Sequence, residues 1–213
     1  MMDTEKKNIL VAGANGTTGR IIINLLKESE SYKPIAMVRS QEQKKYFEEK
    51  NVSAVIADLE ADVNPALKKI DKVIFAAGSK NKNVIGVDQE GAKRLIDAAK
   101  NAAVKKFVML SSMGTENPSI GGALEDYFKA KQNADNYLKN SGLIYSIVKP
   151  GALTNEKSTS KIQLKEKLEN QGSISKADVA HTFVEVLEDD VKQNQVFEII
   201  TGNTSIKKAV IDC

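Results

Sequence analysis

An α/β protein built on a mostly parallel sheet is what this sequence predicts. Short apolar segments of strand length alternate with segments of helical spacing through the first 150 residues, one of these strands runs straight into a glycine-rich turn, and no repeat, low-complexity tract or Pro/Gly-rich linker breaks the series. Strands that are apolar throughout and separated by helices belong to βαβ units with both sheet faces covered. At 213 residues the chain suits one large domain with a substantial core. The expected division is a core over 1–150 and a small appendage on the substrate side over 151–213.

The elements follow in order. Asn8–Ala12 reads as the first strand, and Thr18–Lys27 as a helix carrying Ile21, Ile22, Leu25 and Leu26 on one side. Pro34–Arg39 is the second strand and Gln41–Lys50 the helix after it. Val52–Ala57 and Lys72–Ala76 are two further strands. A long helix is expected from about Val84 to Ala103, then a strand over Lys106–Leu110, a helix over Glu125–Lys139 and a strand over Leu143–Val148. Past Pro150 the pattern loosens. The polar, lysine-rich stretch Asn155–Lys167 is expected as a mobile flap or short helix. Lys176–Glu188 reads as a helix, Gln195–Thr201 as a strand and the last ten residues as a short helix.

Composition removes several classes of function. The net charge of +3 is dispersed, with no run of five or six Lys or Arg, which points away from nucleic acid. No apolar run approaches the 18 or more residues of a membrane span. The start, MMDTEKKNILVAG, is polar and leads directly into a strand, so neither a leader peptide nor a membrane partner is expected and the compartment reads as cytoplasmic. The single cysteine, Cys213, excludes an internal disulfide or a cysteine zinc site, and no metal is expected. The single histidine, His181, lies in a helical pattern without a G-x-S-x-G elbow, so it reads as an ordinary helix residue. Chemistry here must come from hydroxyls, lysines, carboxylates or a cofactor.

The glycine turn supplies the cofactor. Gly13-Ala-Asn15-Gly16-Thr17-Thr18-Gly19 sits between the first strand and the first helix. Such a loop uses its first glycine for a tight turn, its second for close approach of backbone to a pyrophosphate and its third for helix–sheet packing. The helix N-terminus then faces the phosphates. Dinucleotide sites selective for an unphosphorylated ribose place a carboxylate at the tip of the second strand. Here the tip is Arg39-Ser40. A guanidinium with a neighbouring hydroxyl suits a 2′-phosphate, so NADP(H) is expected in preference to NAD(H). Asp58 and Leu59, ending the third strand, are expected near the adenine. Ala76, Ala77 and Gly78, ending the fourth, keep side chains small where a cofactor passes over the strand tips.

One helix holds an awkward residue. In Glu125–Lys139 the stripe 127, 131, 134, 138 reads Tyr, Lys, Ala, Leu, so a lysine interrupts a face otherwise fit for burial. It reads either as a snorkelling side chain or as half of a working pair with Tyr127.

With these pieces in hand, the chain resembles the short-chain dehydrogenase/reductase superfamily, in its atypical NAD(P)-binding branch of NmrA-like and small epimerase-like proteins. The matching segments are VAGANGTTGR, MVR, AD, AAG, VDQEGAKRLIDAAKNAAVKKFVMLSS, YFKAK, SGLIYSIVKPGALT and ISKADVA, in that order over nearly the whole chain. The resemblance implies a Rossmann-type doubly wound parallel sheet and a Tyr-x-x-x-Lys pair with a hydroxyl residue. By motif the pair is Tyr127 and Lys131, and the hydroxyl is Ser112 rather than Ser111. KPGALT implies that Pro150, Gly151 and Ala152 line the nicotinamide side. A phenol with pKa near ~10 is a poor base at neutral pH, and an ammonium one turn away stabilises its phenolate. Lys131 would also reach a cofactor ribose, while Tyr127 exchanges a proton with the substrate and Ser112 orients the substrate oxygen. Asp88, in GVDQEGAK, is open between the active site and helix capping. Residues 151–213 leave little protein for a nucleotide-sugar.

Two functions remain in view. One is an NADP(H)-dependent oxidoreductase or epimerase-like enzyme acting on a small molecule. The other is a non-catalytic, redox-sensing regulator that binds NADP(H), as some relatives of this branch do. Either is expected as a monomer or homodimer.

Overall fold

Ile9 and Val11 pack against one helical layer and Leu10 and Ala12 against the other, all four fully buried. A strand apolar on both sides requires a sheet covered on both faces. In the computed structural model, which describes residues 5–79 and 82–212, this strand is β1 (Lys7–Ala12), the centre of the main sheet. Parallel pairing joins it on one side to β2 (Tyr32–Val38), and β2 to β3 (Ser53–Ile56). On its other side lies β4 (Lys72–Phe75), followed by β5 (Lys106–Leu110) and β6 (Tyr145–Pro150), all parallel. Helices α1 (Thr17–Glu28) and α2 (Gln41–Glu48) cover one face. The other is covered by α3 (Ala92–Asn101) and α4 (Glu125–Lys139). The order β3-β2-β1-β4-β5-β6 is that of a doubly wound Rossmann-type sheet, and its direction switches between β1 and β4. Ligands of such sheets bind in the crevice outside the carboxyl ends at the switch point.

The residues after Pro150 continue this frame. β7 (Ala152–Thr154) leaves the main sheet, and β8 (Lys161–Lys165) rejoins it at the far edge. β9 (Ser173–Ser175) pairs in parallel with β7 as a separate two-stranded sheet. α5 (Lys176–Glu185) packs against α1. β10 (Gln195–Thr201) extends the main sheet parallel to β6 and pairs antiparallel with β8, to which β11 (Thr204–Ser205) adds before the closing α6 (Ile206–Asp212). Among the described residues the main sheet has nine strands.

Two expectations are corrected. The stretch 155–167 is neither a flap nor a helix. Ile162 and Leu164 are buried while Lys161, Gln163 and Lys165 are exposed, the period-two alternation of a strand with one wet face. Residues 158–160 ahead of it are tied to Asp178 by the Ser158 hydroxyl and by the backbone N–H groups of Thr159 and Ser160. The helix expected over 84–103 is two windings: Val84–Gly91 is a π-helix, and α3 begins only at Ala92. Among the described residues no helix is long and apolar enough to cross a membrane. The expectations drawn from the polar start fall largely, and that from Cys213 wholly, outside the described residues.

Candidate functional site

The glycine turn is built for close approach. Gly13 has φ +85°, and a Cβ there would lie 2.6 Å from the backbone of Ala76 and Ala77, so the loop is pressed against the tip of β4. A Cβ on Gly19 would stand 2.2 Å from the Gly13 carbonyl oxygen, which fixes the third glycine as the packing position under the loop. The Gly16 N–H donates to Gly13 O at 2.9 Å. Gly16 is also the N-cap of α1, and no side chain caps the helix. Its first N–H groups are left without an acceptor among the described residues. Arg20 braces the turn by donating to the Asn15 side chain at 2.7 Å and its carbonyl at 3.2 Å, with its guanidinium over Tyr46.

A cleft of about 900 Å³ opens from this loop over the strand tips, near the top of the size range of small-molecule and cofactor sites. Of the residues expected to bind the dinucleotide, Gly13, Asn15, Gly16, Thr17 and Thr18 line its first part. Arg39 lines it at the tip of β2, exposed and without an ion-pair partner among the described residues. Asp58, Leu59, Ala76, Ala77 and Gly78 continue the floor, and Tyr127 and Lys131 form the far wall. Ser79 lines it too, its hydroxyl buried and unpartnered among the described residues. Its hydroxyl is thus open to a hydrogen bond from water or from a molecule in the cleft.

Other expected residues stand behind the wall. Gly19 packs beneath the loop, as above. Ser40 caps α2, accepting from the Gln43 N–H at 3.2 Å. Pro150 ends β6, while Gly151 and Ala152 are bonded through their N–H groups to Ile199 O and Gly172 O, so Leu153 presents the side chain to the cleft in their place. Ser112 does not line it either, and its hydroxyl donates to Met113 O at 3.1 Å. The adjacent Ser111 is committed elsewhere: buried, it donates to Asp135 at 2.7 Å.

The odd lysine of α4 is buried, 3% exposed, and its ammonium does not snorkel. Nζ lies 3.3 Å from Asp88 Oδ1, donates to Leu110 O at 3.3 Å and stands 5.8 Å from the centre of the Tyr127 ring. Burial alone would lower the pKa of this ammonium. The negative charge of an ionised Tyr127 and those of Asp88 and Asp135 outweigh that effect and hold it raised. Lys131 therefore stays charged, paired with the Asp88 carboxylate and near the Tyr127 ring. Asp88 is what sequence reasoning left open. It is fully buried and lines the cleft, and its Oδ2 accepts from the Ser79 N–H at 2.9 Å. The π winding carries it there, and such windings recur at functional sites. Behind the pair, Asp135 also meets Lys149 at 3.5 Å, and Lys149 pairs with Glu116. Burial pushes the Asp135 carboxyl up against the opposing pull of Lys149 and Ser111. Among the described residues no cluster of His, Cys, Asp and Glu suits a metal.

Known proteins resemble this chain in sequence and fold. A family model described as NAD(P)H-binding matches residues 13–190. A Bacillus subtilis protein, the uncharacterized sugar epimerase YhfK, is 36% identical over 210 residues, covering 95% of this chain and 98% of that one. A solved structure from Bacillus halodurans, described as an NAD-dependent epimerase/dehydratase, superposes with a TM-score of 0.92 at 37% identity over 96% of this chain and 98% of that one. The oxidoreductase ylbE of Lactococcus lactis superposes with a TM-score of 0.84 at 32% identity, over 95% and 94%.

Proposed function

Since the chain belongs to the NAD(P)H-binding family of Rossmann-type proteins, we propose that it is an NADP(H)-dependent oxidoreductase of the atypical short-chain dehydrogenase/reductase kind, acting on a small molecule. The observation that carries this reading is the placing of Tyr127 and Lys131 on the wall of the cleft that begins at the glycine turn. The residues present fit a dinucleotide. The glycines keep the turn bare of side chains, the start of α1 has no side-chain cap among the described residues, and Arg39 lines the cleft without an ion-pair partner among them, as a pyrophosphate and a 2′-phosphate would need.

When bound, NADP(H) supplies or accepts a hydride. The chain's own residues handle the proton. Tyr127 donates it to the acceptor oxygen in reduction and takes it back in oxidation. Lys131 stabilises the phenolate left behind, and Asp88 holds the ammonium in place. The names of relatives as epimerase/dehydratase and oxidoreductase support hydride chemistry.

The test has two steps. Calorimetric titration is expected to give micromolar NADPH binding, weakened by Arg39→Ala at least tenfold for NADPH and little for NADH. Failure of both nucleotides to bind removes the reading. In a screen of aldehydes, ketones, quinones and flavins followed by NADPH oxidation, Tyr127→Phe is expected to lower turnover at least 100-fold with NADPH affinity intact. Unchanged turnover removes Tyr127 from the mechanism.

A further inference from the structure

The cleft does not end at Tyr127. Its lining also takes in Leu124, just ahead of α4, Leu153 on β7 and Lys176, the first residue of α5. Leu124 and Leu153 are each 41% exposed and offer apolar surface to the cleft they line. Lys176 is half-buried, and its ammonium donates to Asn155 Oδ1 at 2.7 Å. That partner is neutral, and no carboxylate pairs with Lys176 among the described residues. A lysine in the first turn of a helix also works against the helix dipole, so its position there does nothing for the stability of α5.

The mount is rigid where the side chain is uncompensated. Asp178, two residues along, is fully buried. It accepts from the Ser175 hydroxyl at 2.9 Å, from the Ser158 hydroxyl at 2.5 Å and from the Thr159 and Ser160 N–H groups at 3.1 and 2.9 Å. This ties the segment after β7, which carries Asn155, to the start of α5, which carries Lys176. A cation whose hydrogen-bond partner among the described residues is an amide oxygen, in a cleft also lined by two exposed leucines, matches a ligand that is apolar in its body and anionic at one edge.

Resting on the reading that the hydride acceptor lies beside Tyr127, we propose that the substrate is a small apolar ring or chain bearing an anionic group, held on Leu124 and Leu153 and recognised by Lys176 as its specificity residue. Lys176 takes no part in the chemistry. It favours anionic over neutral acceptors and orients the body of the molecule against the leucines.

The probes are 2-naphthoate and its neutral counterpart 2-naphthol, titrated by calorimetry into the protein with saturating NADP+. The expected result is at least tenfold tighter binding of 2-naphthoate. Lys176→Gln removes that preference without weakening 2-naphthol, Lys176→Arg retains it, and Leu153→Ser weakens both probes alike. Equal affinity for the two probes, no binding of either, or a preference that survives Lys176→Gln overturns the proposal. NADPH oxidation by 1,4-naphthoquinone-2-sulfonate and by 2-methyl-1,4-naphthoquinone is followed in parallel. If neither quinone is reduced while the 2-naphthoate preference depends on Lys176, the anion site stands and hydride transfer to such acceptors falls. If both are reduced with the same KM by the wild type, the oxidoreductase reading stands and the anion site falls.

Discussion

At the scale of single residues, Asp88 and Lys131 depend on each other. Both side chains are essentially out of water, and removing one partner of a buried pair strands the other charge. Asp88→Ala is expected to cost about 3–5 kcal/mol of stability, measured by urea denaturation. Asp88→Asn still offers an acceptor to the Ser79 N–H and is expected to cost less. The sequence made one member of this pair legible. Tyr127 and Lys131 are one helical turn apart, so their proximity follows from spacing alone. Asp88 comes to Lys131 from 43 positions upstream through an irregular winding that no apolar period announces. Ser111 and Ser112 illustrate the same limit. Adjacent hydroxyls look alike in a sequence, and only the burial of Asp135 behind β5 commits one of them.

At the scale of elements, the glycine turn was readable because each glycine has a steric reason, and those reasons can be ranked. A methyl group at Gly19 would meet a backbone oxygen at 2.2 Å, whereas one at Gly16 meets its nearest atom at 3.2 Å. Gly19→Ala is therefore expected to displace the loop, lowering NADPH affinity more than tenfold and reducing Tm. Gly16→Ala is expected to have a distinctly smaller effect on Tm; both follow from titration and a thermal melt. β8 escaped the reading for the opposite reason. Its lysines dominate the composition, yet Lys161-Ile162-Gln163-Leu164-Lys165 alternates as an edge-side strand with one buried face should. The periodic signal was there but short, and lysine also belongs to loops.

At the scale of the molecule, the amino end of the sheet is closed by charge. Lys72 and Lys106, buried on β4 and β5, donate to the carbonyls of Leu187, Glu188 and Val191 beyond α5. Asp189 joins Lys7 and Lys72, each at 2.6 Å. Hydrogen bonds from Lys7 and Lys72 hold its carboxyl down at about 2. Because the folded value lies below the unfolded one, the stabilisation is complete above pH ~4 and is lost as pH falls towards 2. The carboxylate is more than half exposed, so the contribution is at most about 1 kcal/mol. Asp189→Asn is expected to lower Tm by about 2–4 °C at pH 7 and by clearly less at pH 2, where much of the carboxyl is already protonated. Both lysines read from the sequence as ordinary polar strand starts, since their carbonyl partners lie more than 80 positions downstream.

The packing of α1 on α5 has a consequence for how the chain is made. Ile22, Ile23 and Leu26 are covered by the cluster that includes Val179, Ala180 and Phe183, so the first helix must wait for a partner synthesised near the other end. At a translation rate of roughly 5–20 residues per second, the part of its apolar face that α5 covers stays bare for about 8–30 s on the ribosome. The nascent β1–α1–β2 unit can close its glycine turn early, yet it cannot bury its outer flank. A chaperone that shields this helix is expected to raise the yield of folded protein, and chains stalled before residue 176 are expected to aggregate through it.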